Sequence, residues 1–322
     1  MTKKILLSLF ILLLLIVAGS YLLIPGGIRI SSSMWLKANS QPLFHSLQHR
    51  DDWNKWWPPA AGAHASDSSQ AEAPDSSWEY DGFRFRLAQE FYNAFQLSVR
   101  HGHDSFPAVL KIVPFTTDSM GLEISADRPT SGNPLKRIAT WYTANKLKRA
   151  FDSILLRLGR YAGDVKNFYG LDIRREKVQF QFLVSMRKRF DHYPATGDIY
   201  AIVDTLRSFA AARGARELFY PMLNITADSV GGYVAQLGLP VDRSVNDDGA
   251  ISQKQMMKGG NILAADVNGG THRIEEARKK VEQYIQDYQR TIIAIPFQML
   301  ITDRRQEPDS SRWVTRIYYP VV

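Results

Sequence analysis

The feature that most constrains this chain is a pattern that occurs twice in its second half: strand, helix, strand, strand. In the first pass, 180–190 reads as a strand. Residues 198–213 then place Ile199, Ile202, Val203, Leu206 and Phe209 on one helical stripe, with Gly214 as the stop signal. Strands follow at 220–226 and 232–239. In the second pass, 261–268 is a strand, and 272–290 is a helix carrying Ile274, Ala277, Val281, Tyr284, Ile285 and Tyr288 behind the capping candidate Thr271. Strands at 297–302 and 313–319 complete it. Pro221-Met222 and Pro296-Phe297 open equivalent strands that end in Ile-Thr, at Thr226 and Thr302, while Pro240-Val241 and Pro320-Val321 close the two units. A β-α-β-β unit of this size leaves sheet surface uncovered, so two copies related by an approximate two-fold axis join their sheets and leave a seam in which a ligand can lie.

The first half reads as a different α+β arrangement. Residues 28–38 have strand character, and 42–49 form a short amphipathic helix with Leu43, Phe44 and Leu47 on one side; Trp53, Trp56 and Trp57 crowd the next turn. Residues 58–77 hold no aromatic and no branched aliphatic side chain, which predicts a mobile loop. Four strands then follow by alternation: Tyr80 with Phe83, Phe85 and Leu87; Phe95 with Leu97 and Val99; 108–115; and 120–126. A long helix over 133–161 buries Leu135, Ile138, Tyr142, Leu147, Phe151, Ile154, Leu155, Leu158 and Tyr161 at three- and four-residue steps. Its other face is basic, with Lys136, Arg137, Lys146, Lys148, Arg149, Arg157 and Arg160 against the single Asp152. Such a face suits anionic lipid headgroups or plain solvent.

At the N-terminus, 5–24 is an uncharged run interrupted only by Ser8, Gly19, Ser20 and Tyr21. At 1.5 Å per residue it reaches roughly 30 Å, the thickness of a bilayer's hydrocarbon. A cleaved signal peptide is the competing reading; the apolar core is longer than that reading expects, and no clear small-residue cleavage site follows before Pro25-Gly26-Gly27. Lys3 and Lys4 on one flank, against Arg29 and Lys37 on the other, favour a cytoplasmic N-terminus with the bulk of the chain outside.

The 322 residues contain no cysteine, which excludes disulfides, thiolate metal sites and cysteine nucleophiles. A hydrophobic fraction of 45% supplies real cores, and a net charge of +8 spread along the chain names no partner. His45/His49 and His101/His103 have chelating spacings, yet no acidic partner is fixed near either, and His64, His192 and His272 stand apart. No serine elbow, phosphate-binding glycine loop, dinucleotide fingerprint or H-E-x-x-H is present. Asp303, Glu307 and Asp309, interleaved with Arg304, Arg305 and Arg312, read as a charged hairpin, and 242–252 as a solvated connection. No metal, cofactor or catalytic residue is expected.

Residues 28–165 resemble the helix-grip fold of the SRPBCC superfamily, the START-like and polyketide-cyclase-like proteins. The opening strand, the run Asp52–Trp57, the Phe/Tyr-alternating strands and the helix beginning Asn133-Pro134-Leu135-Lys136-Arg137-Ile138 carry that likeness. The second half resembles the GyrI-like effector-binding domain of drug-sensing transcription activators. The stretches that carry it are Tyr169-Gly170, Tyr193-Pro194, Pro221-Met222-Leu223-Asn224-Ile225, Leu239-Pro240-Val241, Lys258-Gly259-Gly260, Gly269-Gly270, Thr302-Asp303-Arg304, Glu307-Pro308-Asp309 and Trp313-Val314-Thr315. The whole chain resembles bacterial membrane-anchored SRPBCC/GyrI-like proteins.

The resemblances imply an α+β chain of three parts: a transmembrane anchor at 1–27, a helix-grip domain at 28–168 and a GyrI-like domain at 169–322. They imply a binding protein, a sensor or carrier, for a small and largely hydrophobic molecule; a cyclase- or hydrolase-like enzyme is the alternative. No nucleic-acid partner is expected, because no DNA-reading module precedes the effector-like half. The GyrI-like site is expected between the repeats, with Tyr193, Trp313 and Tyr318 as aromatic walls. Where the resembled sensors carry a buried glutamate, Pro296-Phe297-Gln298-Met299 places an amide. The likeness therefore implies neutral ligands and no base at that position, unless Gln298 faces solvent.

Overall fold

A computed structural model describes residues 2–59 and 77–322. The expected loop at 58–77 thus falls almost wholly outside the described residues, as does His64. The chain divides into two compact units, Met1–Asp164 and Val165–Val322.

In the first unit, helix α1 (Thr2–Leu23) leads into strand β1 (Gly27–Leu36), and helices α2 (Ser40–Gln48) and α3 (Arg50–Trp56) follow. Asn39 caps α2 by accepting from Gln41 N. The antiparallel sheet continues with β2 (Ser77–Tyr80), β3 (Phe83–Glu90), β4 (Ala94–His101), β5 (Asp104–Thr116) and β6 (Ser119–Pro129), in the order β1-β6-β5-β4-β3-β2. The first of the four expected strands is therefore two. Asp81 and Gly82, both at positive φ (50° and 77°), make a two-residue turn between β2 and β3, the geometry that matches strand twist. Helix α3 likewise occupies a stretch in which the sequence pattern shows only a crowded turn.

Helix α4 (Pro134–Gly163) begins under Asn133, whose side chain accepts from Leu135 N and Lys136 N, and packs on β1 and β6. Phe151, Ile154 and Leu158 are fully buried with Phe83, Phe85 and Leu97. Leu135 and Tyr142, expected inside, are 72% and 65% exposed, so the buried stripe starts only at Ala144. Gly159 lets Met34 approach so closely that a Cβ there would lie 2.5 Å from Met34 Cε. Trp53, Trp56, Trp57 and Trp78 are all buried against one another, with Trp53 and Trp78 stacked at 4.7 Å, which is core packing.

α1 carries Leu9, Phe10, Leu12, Leu14 and Leu15 more than half exposed. Among the described residues no helix is long and apolar enough to cross a membrane. The expected span at 5–24 includes Leu6, Leu7 and Leu13, whose side chains lie outside the described residues. The end of α1 is fastened to its own unit: Arg137 Nε donates to Ile24 O at 2.9 Å, Thr130 Oγ1 to Pro25 O at 2.8 Å, and the Tyr21 hydroxyl to Gly132 O.

The second unit opens with α5 (Lys166–Tyr169) and β7 (Arg174–Lys177). The first repeat is β8 (Phe182–Phe190), α6 (Thr196–Ala212), β9 (Met222–Ala227) and β10 (Tyr233–Val241). After β11 (Ile251–Gln255) comes the second repeat: β12 (Asn261–Asn268), α7 (Thr271–Asp287), β13 (Phe297–Leu300) and β14 (Val314–Pro320). Gly270, not Thr271, occupies the cap position of α7. Both repeat helices have 17 residues. The strands form one eight-stranded sheet in the order β11-β8-β10-β9-β13-β14-β12-β7. The pseudo-two-fold axis falls between β9 and β13, where Gln298 opposes Leu223 and Met299 opposes Met222.

The two strands the sequence pattern did not show, β7 and β11, are exchanged edges. Each precedes one repeat in the chain and pairs with the other, β7 with β12 and β11 with β8. Backbone bonds after the helices repeat as well: Ala215 N donates to Ala210 O as Arg290 N does to Ile285 O, and Leu218 N to Pro240 O as Ile293 N does to Pro320 O. Gly214 takes the left-handed position after α6 with φ 69°, and Gln289 takes the same position after α7 with φ 49°.

Candidate functional site

Each face of the second sheet has its own cover. One face packs on the two helices: α6 over Leu223, Ile225, Leu237 and Leu300, and α7 over Leu263, Ala265, Ile317 and Tyr319. The opposite face gathers Met222, Phe297 and Met299 with Val178, Phe180 and Leu183. Period-2 alternation then assigns the neighbours. Gln298 lies between Phe297 and Met299 and shares the helix face with Leu300. Trp313, Thr315, Ile317 and Tyr319 fall on one side of β14, and Tyr318 on the other, where its ring packs 5.1 Å from Phe297.

On the helix face near the pseudo-two-fold axis is a closed crevice, too tight to admit a water molecule, lined by Leu223, Asn224, Arg278, Pro296, Phe297, Gln298 and Ile317. Asn224 Nδ2 donates to Pro296 O at 2.8 Å and ties the two repeats together at its edge. Gln298 is 6% exposed, and its amide is not among the side-chain polar groups of the described residues that are buried without a partner. Arg278, from α7, donates to Glu275 Oε1 at 3.3 Å. Burial acts to lower its pKa but is outweighed by a hydrogen bond with Tyr319 and by Glu275 and Glu282, so the net shift is upward and the guanidinium stays charged. Tyr319 in turn donates to Glu282 Oε1 at 2.7 Å.

One step along β14, the β13–β14 connection folds back over α6. Tyr200 anchors it: its hydroxyl donates to Thr302 O at 3.2 Å and accepts from Arg304 N at 3.0 Å. Arg305 lies over the Tyr200 ring at 4.5 Å and bridges Asp303 and Asp204, both at 2.9 Å. The adjacent Arg304 turns inward to 8% exposure. Its Nη2 donates to Oγ1 of the fully buried Thr315 at 3.1 Å, and its guanidinium lies 4.6 Å from the centre of the Trp313 ring. Burial pushes the Arg304 pKa down, against the pull of Tyr200 and Tyr193. Burial pushes the Tyr193 pKa up, Glu275 adds to this, and Arg304 and Arg278 oppose it, which places Tyr193 in the field of all three charges.

The structure therefore puts Gln298 and Trp313 on one face with Tyr193 nearby, and Tyr318 on the opposite face. Tyr193 is 42% exposed and meets Tyr233 edge-on at 5.3 Å. Sequence reasoning missed Arg278, Thr315 and the inward turn of Arg304. Arg304 sat inside a run of alternating charges in which nothing distinguished it from Arg305. The rest of that run behaves as a charged hairpin, with Arg312 Nε 3.4 Å from Glu307 Oε2.

The first unit has a groove of about 250 Å³ beside the open edge of β1, lined by Ile28, Arg29, Ile30, Ser31, Trp141, Ala144, Asn145 and Lys148. It lies along the sheet edge, while the interior between sheet and α4 is filled by side chains. Among the described residues no three His, Asp or Glu side chains gather as a metal site. His101 stacks on Phe83 at 4.8 Å, and His272 faces Glu276 at 3.6 Å.

The chain matches no family model and no curated protein sequence. Among solved structures it is similar to the C-terminal domain of EcmrR, with 14% identity over 47% of this chain and 98% of that one and a TM-score of 0.40. It is similar to SAV2435 bound to tetraphenylphosphonium, with 13% identity over 47% and 94% of the two chains and a TM-score of 0.32. A START superfamily protein from Mycobacterium smegmatis matches at 15% identity over 40% and 98%, with a TM-score of 0.26.

Proposed function

We propose that the protein is a membrane-anchored binding protein, a sensor or carrier, for a small and largely hydrophobic molecule held in the crevice of the second unit. The observation that supports this reading is the seam between the repeats, where the amide of Gln298 lies with Asn224 and Arg278 among the apolar side chains of Leu223, Phe297 and Ile317; the seam is closed in this structure, so a ligand enters it only as these side chains move apart. Apolar walls with few polar groups are what small-molecule sites use to bind and orient.

Anchoring rests on the uncharged run at 5–24 and on the outward-facing side chains of α1, which present apolar surface along a helix of 22 residues. A contiguous apolar surface of this kind calls for lipid or a partner. The proposal places both units outside the cytoplasmic membrane of a bacterium, with Lys3 and Lys4 inside.

Extraction of the full chain in native lipid nanodiscs, followed by mass spectrometry of co-purifying small molecules, tests the ligand. The expected result is an apolar compound retained by the parent and lost when Gln298 is replaced by Leu. Equal retention by both proteins refutes the site. For the anchor, the chain is expected to stay with membranes through a carbonate wash, and recovery of a soluble chain beginning after Ile24 refutes it.

A further inference from the structure

The strands that end the two sheets are unequal. β2, β7 and β11 are four, four and five residues long, and Arg174–Lys177 and Ile251–Gln255 are rich in charged and polar side chains. Short, charged edges are how sheets avoid pairing with other chains. β1 has neither protection: it runs for ten residues, Gly27–Leu36, with Arg29 as its one charged side chain and no proline. Its pairing with β6 is continuous from Gly27 to Leu36, without the bulge that twists an edge away. Among the described residues no strand pairs with its outer side.

The groove of about 250 Å³ in the first unit follows that outer side. Successive side chains of a strand point to opposite faces, so a groove lined by the four consecutive residues 28–31 follows the backbone edge itself. Unpaired N–H and C=O groups of β1 therefore open into it. Its other wall is one stripe of α4, where Trp141, Ala144, Asn145 and Lys148 stand at steps of three and four. Ala144 is buried and Trp141 is 48% exposed, which makes the middle of that stripe apolar. The helix keeps beside the strand along its length: Arg137 Nε donates to Ile24 O at one end, and Gly159 meets Met34 at the other. One added strand, at the usual spacing of about 4.8 Å from its neighbour, fits between such an edge and such a helix.

Charge selects the occupant. The two charged residues that line the groove, Arg29 and Lys148, are both cations. Lys148 is paired with Asp152 at 2.5 Å, while Arg29 has no ion pair among the described residues, although Asp127 opposes it in the ladder. Around them the helix carries seven basic residues against one acid. A second copy of the chain, pairing edge to edge, would bring two such helices toward each other, like charge against like.

We infer that this groove binds an extended, acidic segment of another polypeptide by strand addition to β1. Backbone hydrogen bonds to the open edge hold the segment, its carboxylates meet Arg29 and Lys148, and its apolar side chains lie against Ala144 and Trp141. The site belongs to the first unit alone and is independent of the seam between the repeats.

The test uses the full chain in phosphatidylcholine nanodiscs and acetylated peptide probes of one length. The first alternates valine and glutamate, and the second has lysine in place of glutamate. The last keeps valine and glutamate but is methylated at every backbone nitrogen, which removes its hydrogen-bond donors and keeps its charge. Binding is read by calorimetry, and its place by hydrogen exchange in peptides covering 27–36. The valine–glutamate probe should bind and slow exchange in 27–36, and the other two should bind at least roughly tenfold more weakly. Arg29→Glu, at an exposed position, should cut the preference for glutamate over lysine by about tenfold and leave the melting point unchanged.

Equal binding of the glutamate and lysine probes overturns the acidic partner, and equal binding of the methylated probe overturns strand addition. Binding of no probe, or protection confined to residues outside 27–36, overturns the site. Protection of 27–36 that rises with protein concentration in the absence of a probe assigns the edge to a second copy. Protection by phosphatidylglycerol nanodiscs without a probe assigns the groove to lipid headgroups, and either result overturns the inference. The comparison among probes on the parent needs no variant, so a substitution that fails to fold does not remove the test.

Discussion

Thr315 is the residue at which the account of Arg304 is most exposed to measurement. Among the described residues its hydroxyl is the one side-chain acceptor for the nearly buried Arg304 guanidinium, and Thr315 itself is fully buried. Thr315→Val keeps the shape of the side chain and removes the acceptor. Hydrogen bonds to charged groups contribute about 1.5–3 kcal/mol, and the larger part appears when the partner is left buried and unsatisfied. The expected loss is therefore about 2 kcal/mol. Arg304→Met removes the bond together with the desolvated charge and keeps most of the apolar volume against Trp313, so it should cost less, below about 1 kcal/mol. The double variant should match Arg304→Met, because the hydroxyl has nothing left to satisfy, which gives a coupling of about 2 kcal/mol, the whole of the Thr315→Val loss. Native-state hydrogen exchange in peptides covering Val314–Pro320 reads this directly in the full chain. At 1.4 kcal/mol per tenfold, Thr315→Val should speed exchange roughly 30-fold. Exchange within a factor of two of the parent, or additive effects of the two substitutions, would refute the claim that Arg304 depends on Thr315.

Trp313 and Tyr318, read alike from the sequence, should separate: Trp313→Ala removes the ring under the Arg304 guanidinium and should couple to Arg304→Met in a double-variant melting cycle, while Tyr318→Ala, on the opposite face against Phe297, should add independently of it. Gln289→Gly should stabilise the second unit by about 0.5–1 kcal/mol in calorimetry, because it places a glycine at the left-handed position that Gly214 already fills in the other repeat, and Gly214→Ala should cost about 1 kcal/mol. Burial acts to raise the Asp266 pKa, yet its bonds to Arg316 and Arg174 outweigh that and hold the carboxylate below its ordinary value. Its stabilisation is therefore complete above the unfolded value near 3.9 and is lost as pH falls through the lower folded one. Exchange of the β7 amides should accelerate between about pH 4 and 3, and Asp266→Asn should show fast exchange already at pH 7 and no such acid step.

The duplicated unit was legible because its helices follow a strict apolar stripe and because each is followed by the same backbone turn. The stripe over 272–290 runs three residues past the helix end at Asp287 because Tyr288, in the C-cap position, continues the pattern that the backbone has already left. The edge strands β7 and β11 were not legible for a reason rooted in their position. An edge strand is half-solvated, so Arg174–Lys177 and Ile251–Gln255 carry charged and polar residues where a pattern search expects alternation. The turn at Asp81-Gly82 was readable, since Asp-Gly between alternating aromatics is a strong hairpin signal, but the aromatics on either side ran together into one apparent strand.

The candidate site was harder to read because it sits where periodicity carries no information. All four residues of β13 are buried, as expected of a central strand covered on both faces, so the sequence around Gln298 shows no polar partner position and does not say which face the amide takes. Only the packing of Phe297 and Met299 against Met222 decides it, and that pairing belongs to the other repeat. Arg304 is a stronger case. Arg304 and Arg305 are adjacent and identical, and the chain between Leu300 and Val314 has no regular period to set them apart. Arg305 finds Asp204, Asp303 and the outer face of the Tyr200 ring. Once those are taken, Arg304 has the hydroxyl of Thr315 and the face of Trp313, and its charge is committed inward. Which arginine turns inward and which one braces the loop is thus set by where a helix more than 100 residues away in sequence places one tyrosine and one aspartate.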